Sequence, residues 1–284
     1  ALKQGLEAEG RGDELENLLA SDNVNPRVTL VELPGFVDAN DEVEGEPTKY
    51  SPLGMSLNTG GDPTRFARVR EGVVRVQDEG SQLVAQIFSK IAANSSTWLD
   101  LCAGPGGKAA LISSIAHETG HDFTANEVSE PRAELVRQVV GKSRVWVGDG
   151  REIGSHSETF DAILADVPCT GLGALRRRPE VRWRRTVADL RALTQLQREL
   201  SNSAISILND GGIFAYATCS PHFAETTVAV ADILKAHPDL EQLDLTEYVP
   251  NGLQGAMRGK SLSLWTHRHE SDAMFMAVFR KKVA

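Results

Sequence analysis

The sequence lacks any hydrophobic run long enough to cross a membrane. No stretch of its 284 residues approaches the ~18–20 apolar residues that a transmembrane helix needs, and the first residues lack the charged-then-apolar pattern of a secretion signal. The composition, with 41% hydrophobic and 24% charged residues, is typical of a globular protein. We therefore expect a cytoplasmic chain that makes no contact with a membrane.

Cysteine is scarce. The three residues Cys102, Cys169 and Cys219 are an odd number and lie far apart in the chain. This pattern is typical of free thiols in a reducing compartment, and it excludes the small secreted proteins that disulfides hold together.

An excess of positive charge is also missing. The chain has 30 Lys and Arg against 39 Asp and Glu, a net charge of -9, which excludes a uniformly basic nucleic-acid-binding surface. One segment is nevertheless rich in arginine, namely Arg176, Arg177, Arg178, Arg182, Arg184, Arg185 and Arg191. A local contact with nucleic acid and an ordinary solvated helix face both fit this run.

What the chain has is a change of pattern near residue 73. Before it we predict a helix over 13–21, a strand over 27–33 and a long polar loop over 38–63. After it, short apolar runs alternate with amphipathic helices, which is typical of an α/β protein with a mostly parallel sheet and helices on both faces. We predict two domains, a small α/β domain over 1–72 and a larger one over 73–284.

The second domain contains a series of predicted elements. We expect strands at 97–103, 122–128, 144–148, 160–167 and 212–218, helices near 82–93, 108–119, 130–140, 188–208 and 223–237, and an antiparallel edge hairpin made by 261–265 and 273–279.

A glycine-rich turn follows the first of these strands. Its residues are Cys102, Ala103, Gly104, Pro105, Gly106, Gly107 and Lys108. Such a turn lets the backbone approach a ligand and points N–H groups at it, but a tight turn without a ligand and the dinucleotide fingerprint have the same letters. Glu127, at the end of the second strand, is placed to bind a ribose of either NAD or S-adenosylmethionine. Asp149, after the third strand, is expected to reach the adenine side or to lie in a surface turn.

Two further loops carry thiols. The fourth strand ends in Asp166-Val167-Pro168-Cys169 and the fifth in Thr218-Cys219-Ser220, and the carboxyl ends of parallel strands open onto one cleft. A thiolate that adds to carbon 6 of cytosine makes carbon 5 nucleophilic enough to take a methyl group, and an acid such as Asp166 can offset the charge at nitrogen 3. The attacking thiol needs a depressed pKa, for which Lys108, a helix start after Pro221 and a bound sulfonium are candidate sources. Cys102 is expected to be a buried structural residue.

As a set, these motifs resemble the Sun/Fmu (RsmB-like) family of RNA 5-methylcytosine methyltransferases. The matching segments, in family order, are 76–81, 99–108, 166–171, 176–183, 218–220 and 272–277. The resemblance implies a Rossmann-like methyltransferase domain that uses S-adenosylmethionine, with Cys219 as nucleophile, Cys169 assisting product release, and Asp166 and Lys108 facing the cytosine. The implied cofactor site comprises Ala103, Gly104, Pro105, Gly106, Gly107, Lys108, Glu127, Asp149 and Asp166.

The resemblance also implies the partners. RNA, most simply that of the small ribosomal subunit, is expected to contact Arg176, Arg177, Arg178 and Arg182 and the small N-terminal domain, and we expect a monomer without a metal. Glu127 stands where the family more often has Asp. The family's ribosomal member carries a further N-terminal helical RNA-binding domain without a counterpart here, so we expect a truncated chain.

Three alternatives stay open. A nicotinamide enzyme would share the glycine turn but has no use for two cysteines at neighbouring strand ends. A DNA cytosine methyltransferase would take its nucleophile from the Pro-Cys loop, here Cys169. An RNA-binding or ribosome-assembly factor would keep the fold with little catalysis. His267 and His269 have a spacing that suits a metal, but an exposed polar turn is the simpler interpretation.

Overall fold

The computed structural model describes residues 1–35, 43–58 and 60–283 and contains two sheets. The helices within these ranges are all too short or too polar to span a membrane.

The smaller sheet is antiparallel, with strand order β2-β3-β1-β4. Its strands are β1 (Thr29–Glu32), β2 (Gly45–Pro47), β3 (Gly54–Leu57) and β4 (Val74–Val76). Leu30, Leu57 and Val74 form its core. β4 lies beyond residue 72, so the small sheet continues past the predicted domain boundary.

The predicted loop over 38–63 was wrong where β2 and β3 lie. These strands have three and four residues and each begins with glycine, so they show too little apolar alternation to be recognised from sequence. Residues 38–42 and 59 of that prediction lie outside the described residues.

The larger sheet has the order β11-β12-β13-β9-β8-β5-β6-β7, with β10 paired to β13. Its strands are β5 (Thr97–Asp100), β6 (Asp122–Glu127), β7 (Arg144–Val147), β8 (Phe160–Asp166), β9 (Leu208–Thr218), β10 (Leu240–Gln242), β11 (Met257–Arg258), β12 (Ser261–Ser263) and β13 (Phe275–Lys281). β5 to β9 are parallel, whereas β12 and β13 form an antiparallel hairpin added to β9. The predicted strands and the edge hairpin are confirmed, although β9 begins four residues before the predicted start.

Helices cover both faces of this sheet. The helices of the described ranges are α1 (Leu2–Glu7), α2 (Leu15–Ser21), α3 (Ala67–Arg70), α4 (Glu79–Ile91), α5 (Gly107–Thr119), α6 (Glu130–Arg137), α7 (Val181–Arg184), α8 (Val187–Ser206), α9 (Thr227–Ala236) and α10 (Thr266–His269). α4, α5 and α6 pack on one face of the sheet, and α8 and α9 pack on the other. Along β8, Ala162 and Leu164 pack with α4 and α5, whereas Ile163 and Ala165 pack with α8 and α9. This alternation is what a strand between two helical layers requires, and it confirms the predicted α/β fold.

The N-terminal helices pack on the C-terminal part of the chain. Leu6 and Leu18 contact the fully buried Trp265, and Nε2 of His267 lies 2.7 Å from a carboxylate oxygen of Glu14. The predicted exposed turn at His267 and His269 was therefore wrong, because His269 is buried in α10. The described ranges hold no cluster of His, Cys, Asp or Glu suited to a metal ion.

Candidate active site

The carboxyl ends of β5, β8 and β9 bring the glycine turn and both cysteine loops to one edge of the sheet. β5 pairs with β8, and β8 pairs with β9, in parallel register, so the loops that follow these strands are neighbours. Gly106 has a φ of 109° and precedes the first residue of α5, a backbone conformation that favours glycine. A side chain at Gly104 would collide with the carboxylate of Glu127.

The two thiols of these loops are in direct contact. Sγ of Cys169 lies 3.3 Å from Sγ of Cys219, and both residues are half-buried. The hydrogen bond between them lowers the pKa of Cys169, and the same bond together with burial raises the pKa of Cys219 well above its ordinary value. The two thiols therefore titrate as a pair.

The predicted low pKa of Cys219 is not found in this state. The helix expected after Pro221 is a 3-10 turn over Phe223–Glu225, and α9 begins only at Thr227. Lys108 does lower the pKa of Cys219, but the contact with Cys169 outweighs it.

Lys108 and Asp166 form an ion pair beside the thiols. Lys108 Nζ is 2.8 Å from Oδ2 of Asp166 and donates to the Ser81 hydroxyl at 3.1 Å. Burial alone would lower the pKa of Lys108, but the contact with Asp166 reverses this and the pKa is raised. The structure thus brings together Cys219, Cys169, Asp166 and Lys108.

Asp100 is a site residue that the sequence analysis missed. It ends β5 with 1% of its surface exposed, and Oδ1 accepts from the backbone N–H of Cys102 at 3.3 Å, while Oδ2 has no hydrogen-bond partner among the described atoms. Burial, followed by the charge of Asp166, raises the pKa of Asp100 to about 7. Its position at the end of the strand that precedes the glycine turn could have identified Asp100 as a candidate site residue.

Glu127 and Asp149 hold loops at the same edge. Oε2 of Glu127 accepts from Gly104 N at 3.0 Å, and Oε1 accepts from Ser129 N at 2.8 Å and from Arg132. Asp149 accepts from Arg151 N at 2.9 Å and forms an ion pair with the Arg151 side chain, which lowers the pKa of Asp149. Glu127 is buried and Asp149 is half-exposed.

The charges around the glycine turn suit a cationic ligand. Asp100, Glu127 and Asp166 surround the turn, and among the described residues Lys108 and Arg132 are the cations that pair with them. A dinucleotide would bring a pyrophosphate among these carboxylates, whereas the sulfonium and ammonium groups of S-adenosylmethionine would be attracted to them. A side chain added at Gly107 would meet no atom within 4 Å, so the turn also leaves space for a ligand. The residues present therefore fit S-adenosylmethionine.

Arg176 and Arg177, which the sequence analysis expects to contact RNA, form ion pairs within the protein. Both guanidinium groups bind the carboxylates of Asp78 and Asp272 at 2.7–3.1 Å. Only 9% of the Arg176 side chain and 27% of the Arg177 side chain are exposed. Buried carboxylates neutralise the charge of both arginines, and Arg176 is largely buried whereas Arg177 is partly exposed, so neither presents a free guanidinium on a basic surface.

The remaining arginines of the segment differ among themselves. Arg182 donates to the backbone carbonyl of Asp22 at 2.9 Å, whereas the side chains of Arg178 and Arg184 are exposed and have no partner within the described part of the chain. Between them, Trp183 has 77% of its surface exposed. Arg185 donates to the carbonyl of Thr170 at 3.2 Å, which places this surface next to the Cys169 loop.

This arrangement of sheet, glycine turn and strand-end cysteines defines a Rossmann-like methyltransferase fold. The structure of NSun6 from Pyrococcus horikoshii with SFG matches it with a TM-score of 0.79 at 15% identity, covering 100% of this chain and 98% of that one. A methyltransferase homolog protein from the same organism matches with a TM-score of 0.74 at 20% identity, covering 95% and 91%. At these identities the likeness shows the fold alone.

The chain belongs to the 16S rRNA methyltransferase RsmB/F family, whose model matches residues 90–280. It is 47% identical over 276 residues to a Mycobacterium tuberculosis (strain CDC 1551 / Oshkosh) protein named as a methyltransferase, covering 94% of this chain and 60% of that protein. It is 30% identical over 283 residues to a Synechocystis sp. (strain ATCC 27184 / PCC 6803 / Kazusa) protein named as a ribosomal RNA small subunit methyltransferase B, covering 94% and 63%. The resemblance found in the sequence is confirmed, and the chain spans about three fifths of the length of these relatives.

Proposed function

We propose that this chain transfers a methyl group from S-adenosylmethionine to carbon 5 of a cytosine in RNA, with Cys219 as the nucleophile. The observation that carries the proposal is the meeting of two thiols, 3.3 Å apart, with the Lys108–Asp166 ion pair at the glycine-turn edge of the sheet. The names of the relatives favour small-subunit ribosomal RNA as the substrate.

The residues divide the chemistry between them. Sγ of Cys219 forms a bond to carbon 6 of the ring, and Asp166 supplies a proton at nitrogen 3, so that carbon 5 becomes nucleophilic. S-adenosylmethionine supplies an electrophilic methyl group. Cys169 lies beside Cys219, where its thiolate can take up the proton from carbon 5 as the carbon 6–sulfur bond breaks and the Cys219 thiolate leaves, while the proton at nitrogen 3 returns to Asp166. The glycine turn with Asp100 and Glu127 would hold the cofactor, with Asp149 on its adenine side.

RNA binding would use local surfaces of an acidic protein. Arg178 and Arg184 offer exposed guanidinium groups for phosphates, and Trp183, exposed in the same segment, offers a face on which a base can stack. The RNA-facing role of the N-terminal domain of residues 1–72 rests on the family resemblance, because the groove of about 700 Å³ along the small sheet has a mixed lining, in which Glu46, Glu79 and Glu270 stand beside Arg27 and Lys49.

The test combines methyl transfer with cysteine replacement. The protein is incubated with labelled S-adenosylmethionine and small-subunit ribosomal RNA, and 5-methylcytosine is mapped in the product. We expect Cys219→Ala to abolish both methylation and the covalent protein–RNA adduct, whereas Cys102→Ala, the matched control, keeps both.

Two other outcomes would contradict the proposal. An adduct that survives in Cys219→Ala and is lost in Cys169→Ala would assign the nucleophile to the Pro-Cys loop, as in DNA cytosine methyltransferases. RNA binding without methyl incorporation over a range of RNAs would favour a ribosome-assembly factor.

A further inference from the structure

A buried carboxylate lies beneath the two cysteine loops. Glu225, six residues after Cys219, is fully buried at the end of the 3-10 turn Phe223–Glu225. The proposed chemistry gives it no role, and it has no ion pair within the described residues. A carboxylate removed from water without a cation needs several hydrogen-bond donors.

These donors come from the residue that follows each cysteine. Oε1 accepts from the backbone N–H of Thr170 at 2.9 Å, and Oε2 accepts from the hydroxyls of Thr170 and, at 2.6 Å, Ser220. The two hydroxyl oxygens are themselves 3.0 Å apart. One carboxylate thus connects the loop of Cys169 to the loop of Cys219.

Two side chains, one from helix α8 and one from strand β9, hold Glu225 in place. Gln197 Nε2 donates to Oε1 of Glu225 and to the carbonyl of Pro168, both at 2.9 Å. The hydroxyl of Tyr216 lies 3.2 Å from Oε1 of Gln197 and donates to the backbone carbonyl of Glu225 at 2.8 Å. The connection between the loops is therefore anchored in the protein core.

We propose that Glu225 is a positioning residue that fixes the separation of the Cys169 and Cys219 sulfurs. Its importance for catalysis rests on the proposed function, in which one sulfur attacks the ring and the other assists release. Because both sulfurs act on the same ring, the distance between them must stay within narrow limits. A displacement of about 1 Å in a reacting group can lower the rate of catalysis ~10²-fold.

The pattern of donors predicts which substitutions are tolerated. In Glu225→Gln the amide oxygen can replace Oε1, which accepts only N–H groups, and the amide NH2 can donate to the Thr170 and Ser220 hydroxyls, because hydroxyls can rotate to accept. Glu225→Asp is one methylene shorter and cannot reach both loops. Glu225→Ala leaves all four donors without their acceptor.

The first measurement reads the sulfur separation directly. Diamide removes two hydrogens from a close thiol pair, forming a disulfide while being reduced to a hydrazine, and the Cys169–Cys219 disulfide is followed by peptide mass spectrometry. We expect Glu225→Ala to slow its formation ~10-fold or more and Glu225→Gln to stay within about 3-fold of the wild type. Glu79→Ala is the matched control, since Glu79 is a buried carboxylate that accepts from Tyr50 N and Ser51 N and, among the described residues, has no hydrogen bond to either cysteine loop. It should lose stability but keep the wild-type coupling rate.

The second measurement is methyl transfer. We expect Glu225→Ala to lower kcat by ~10²-fold with the KM for S-adenosylmethionine within about 2-fold, and Glu225→Gln to restore kcat. Wild-type disulfide coupling in Glu225→Ala, or a loss in Glu225→Gln as large as in Glu225→Ala, would overturn the proposal. Coupling needs neither RNA nor cofactor, so a wild type that couples but methylates no RNA refutes only the proposed function.

A milder substitution keeps the proposal testable if Glu225→Ala does not fold. Thr170→Val has nearly the same shape and keeps the backbone donor to Oε1, but it removes the hydroxyl that donates to Oε2 and contacts the Ser220 hydroxyl. We expect it to slow coupling by about 3–10-fold. A folded Thr170→Val that couples at the wild-type rate would count against the proposed positioning role of Glu225.

Discussion

Replacing Arg177 should affect the stability of the protein, whereas replacing Arg178 should affect RNA binding, although the two residues are adjacent and chemically identical. Arg177 binds the carboxylates of Asp78 and Asp272, whereas Arg178 is exposed and has no side-chain partner in the described ranges. We expect Arg177→Ala to lower the free energy of unfolding without a specific effect on RNA, and Arg178→Ala to weaken RNA binding without a loss of stability.

The size of the Arg177 effect follows from its contacts. Breaking a buried ion pair costs ~3–5 kcal/mol when a charge is left alone. Here Arg176 still binds both carboxylates after Arg177 is removed, and the Arg177 side chain is 27% exposed, so we expect ~2 kcal/mol, or a Tm lower by about 5 °C. Arg176→Ala, which removes the more buried partner, should cost ~3–4 kcal/mol.

Urea unfolding measures the stability of each variant, and filter binding measures its affinity for RNA. Arg178→Ala should stay within about 0.5 kcal/mol of wild-type stability and should reduce the salt dependence of RNA binding by about one phosphate contact. Wild-type stability in Arg177→Ala together with weakened RNA binding would refute the structural role and restore the prediction made from the arginine run.

Three further predictions concern charge and pH. Affinity for S-adenosylmethionine, measured by calorimetry, should rise as pH increases through about 7, since the pKa of Asp100 is about 7 and a cation favours the carboxylate; a profile as flat as that of Asp100→Asn would contradict this. Glu127→Ala should raise the KM for the cofactor ~10-fold because the turn loses the acceptor of Gly104 N, while the exposed Glu130→Ala should not change it; equal values would argue against a cofactor role. Burial lowers the pKa of His269 to about 4 from an ordinary 6.5, so stability is full above 6.5 and decreases by up to ~3 kcal/mol as pH falls towards 4. The Tm of His269→Asn should vary less over this range, and an unchanged slope would exclude His269 as the cause.

The parallel sheet could be predicted because its strands are apolar on both faces. β8 and β9 are nearly continuous runs of buried residues, and the alternation with amphipathic helices indicates crossover connections. The meeting of the cysteine loops then follows from topology, since neighbouring parallel strands end at one edge. The three-residue β2 and the four-residue β3 carry no comparable periodicity.

Partners distant in sequence could not be predicted. The arginine run shows its charge, but not that Arg176 and Arg177 would meet Asp78 and Asp272, each more than 90 residues away. The role of Glu225 could not be predicted either, because the sequence does not distinguish a buried glutamate from an exposed one. A buried glutamate needs hydrogen-bond donors around its carboxylate. Thr170 and Gln197, which donate to Glu225, are distant from it in sequence and are brought close by the fold.

The Lys108–Asp166 pair links the two acid–base steps of the proposed reaction. After the larger effects of Cys169 and burial, the charge of Asp166 also raises the pKa of Cys219, and that of Lys108 lowers it. A proton on Asp166, which the step at nitrogen 3 requires, removes the opposing negative charge and leaves the Lys108 ammonium free to stabilise a thiolate at Cys219. A proton on Asp166 therefore removes one of the smaller causes of the raised pKa of Cys219, whereas the larger causes, the hydrogen bond to Cys169 and burial, remain until the two thiols separate.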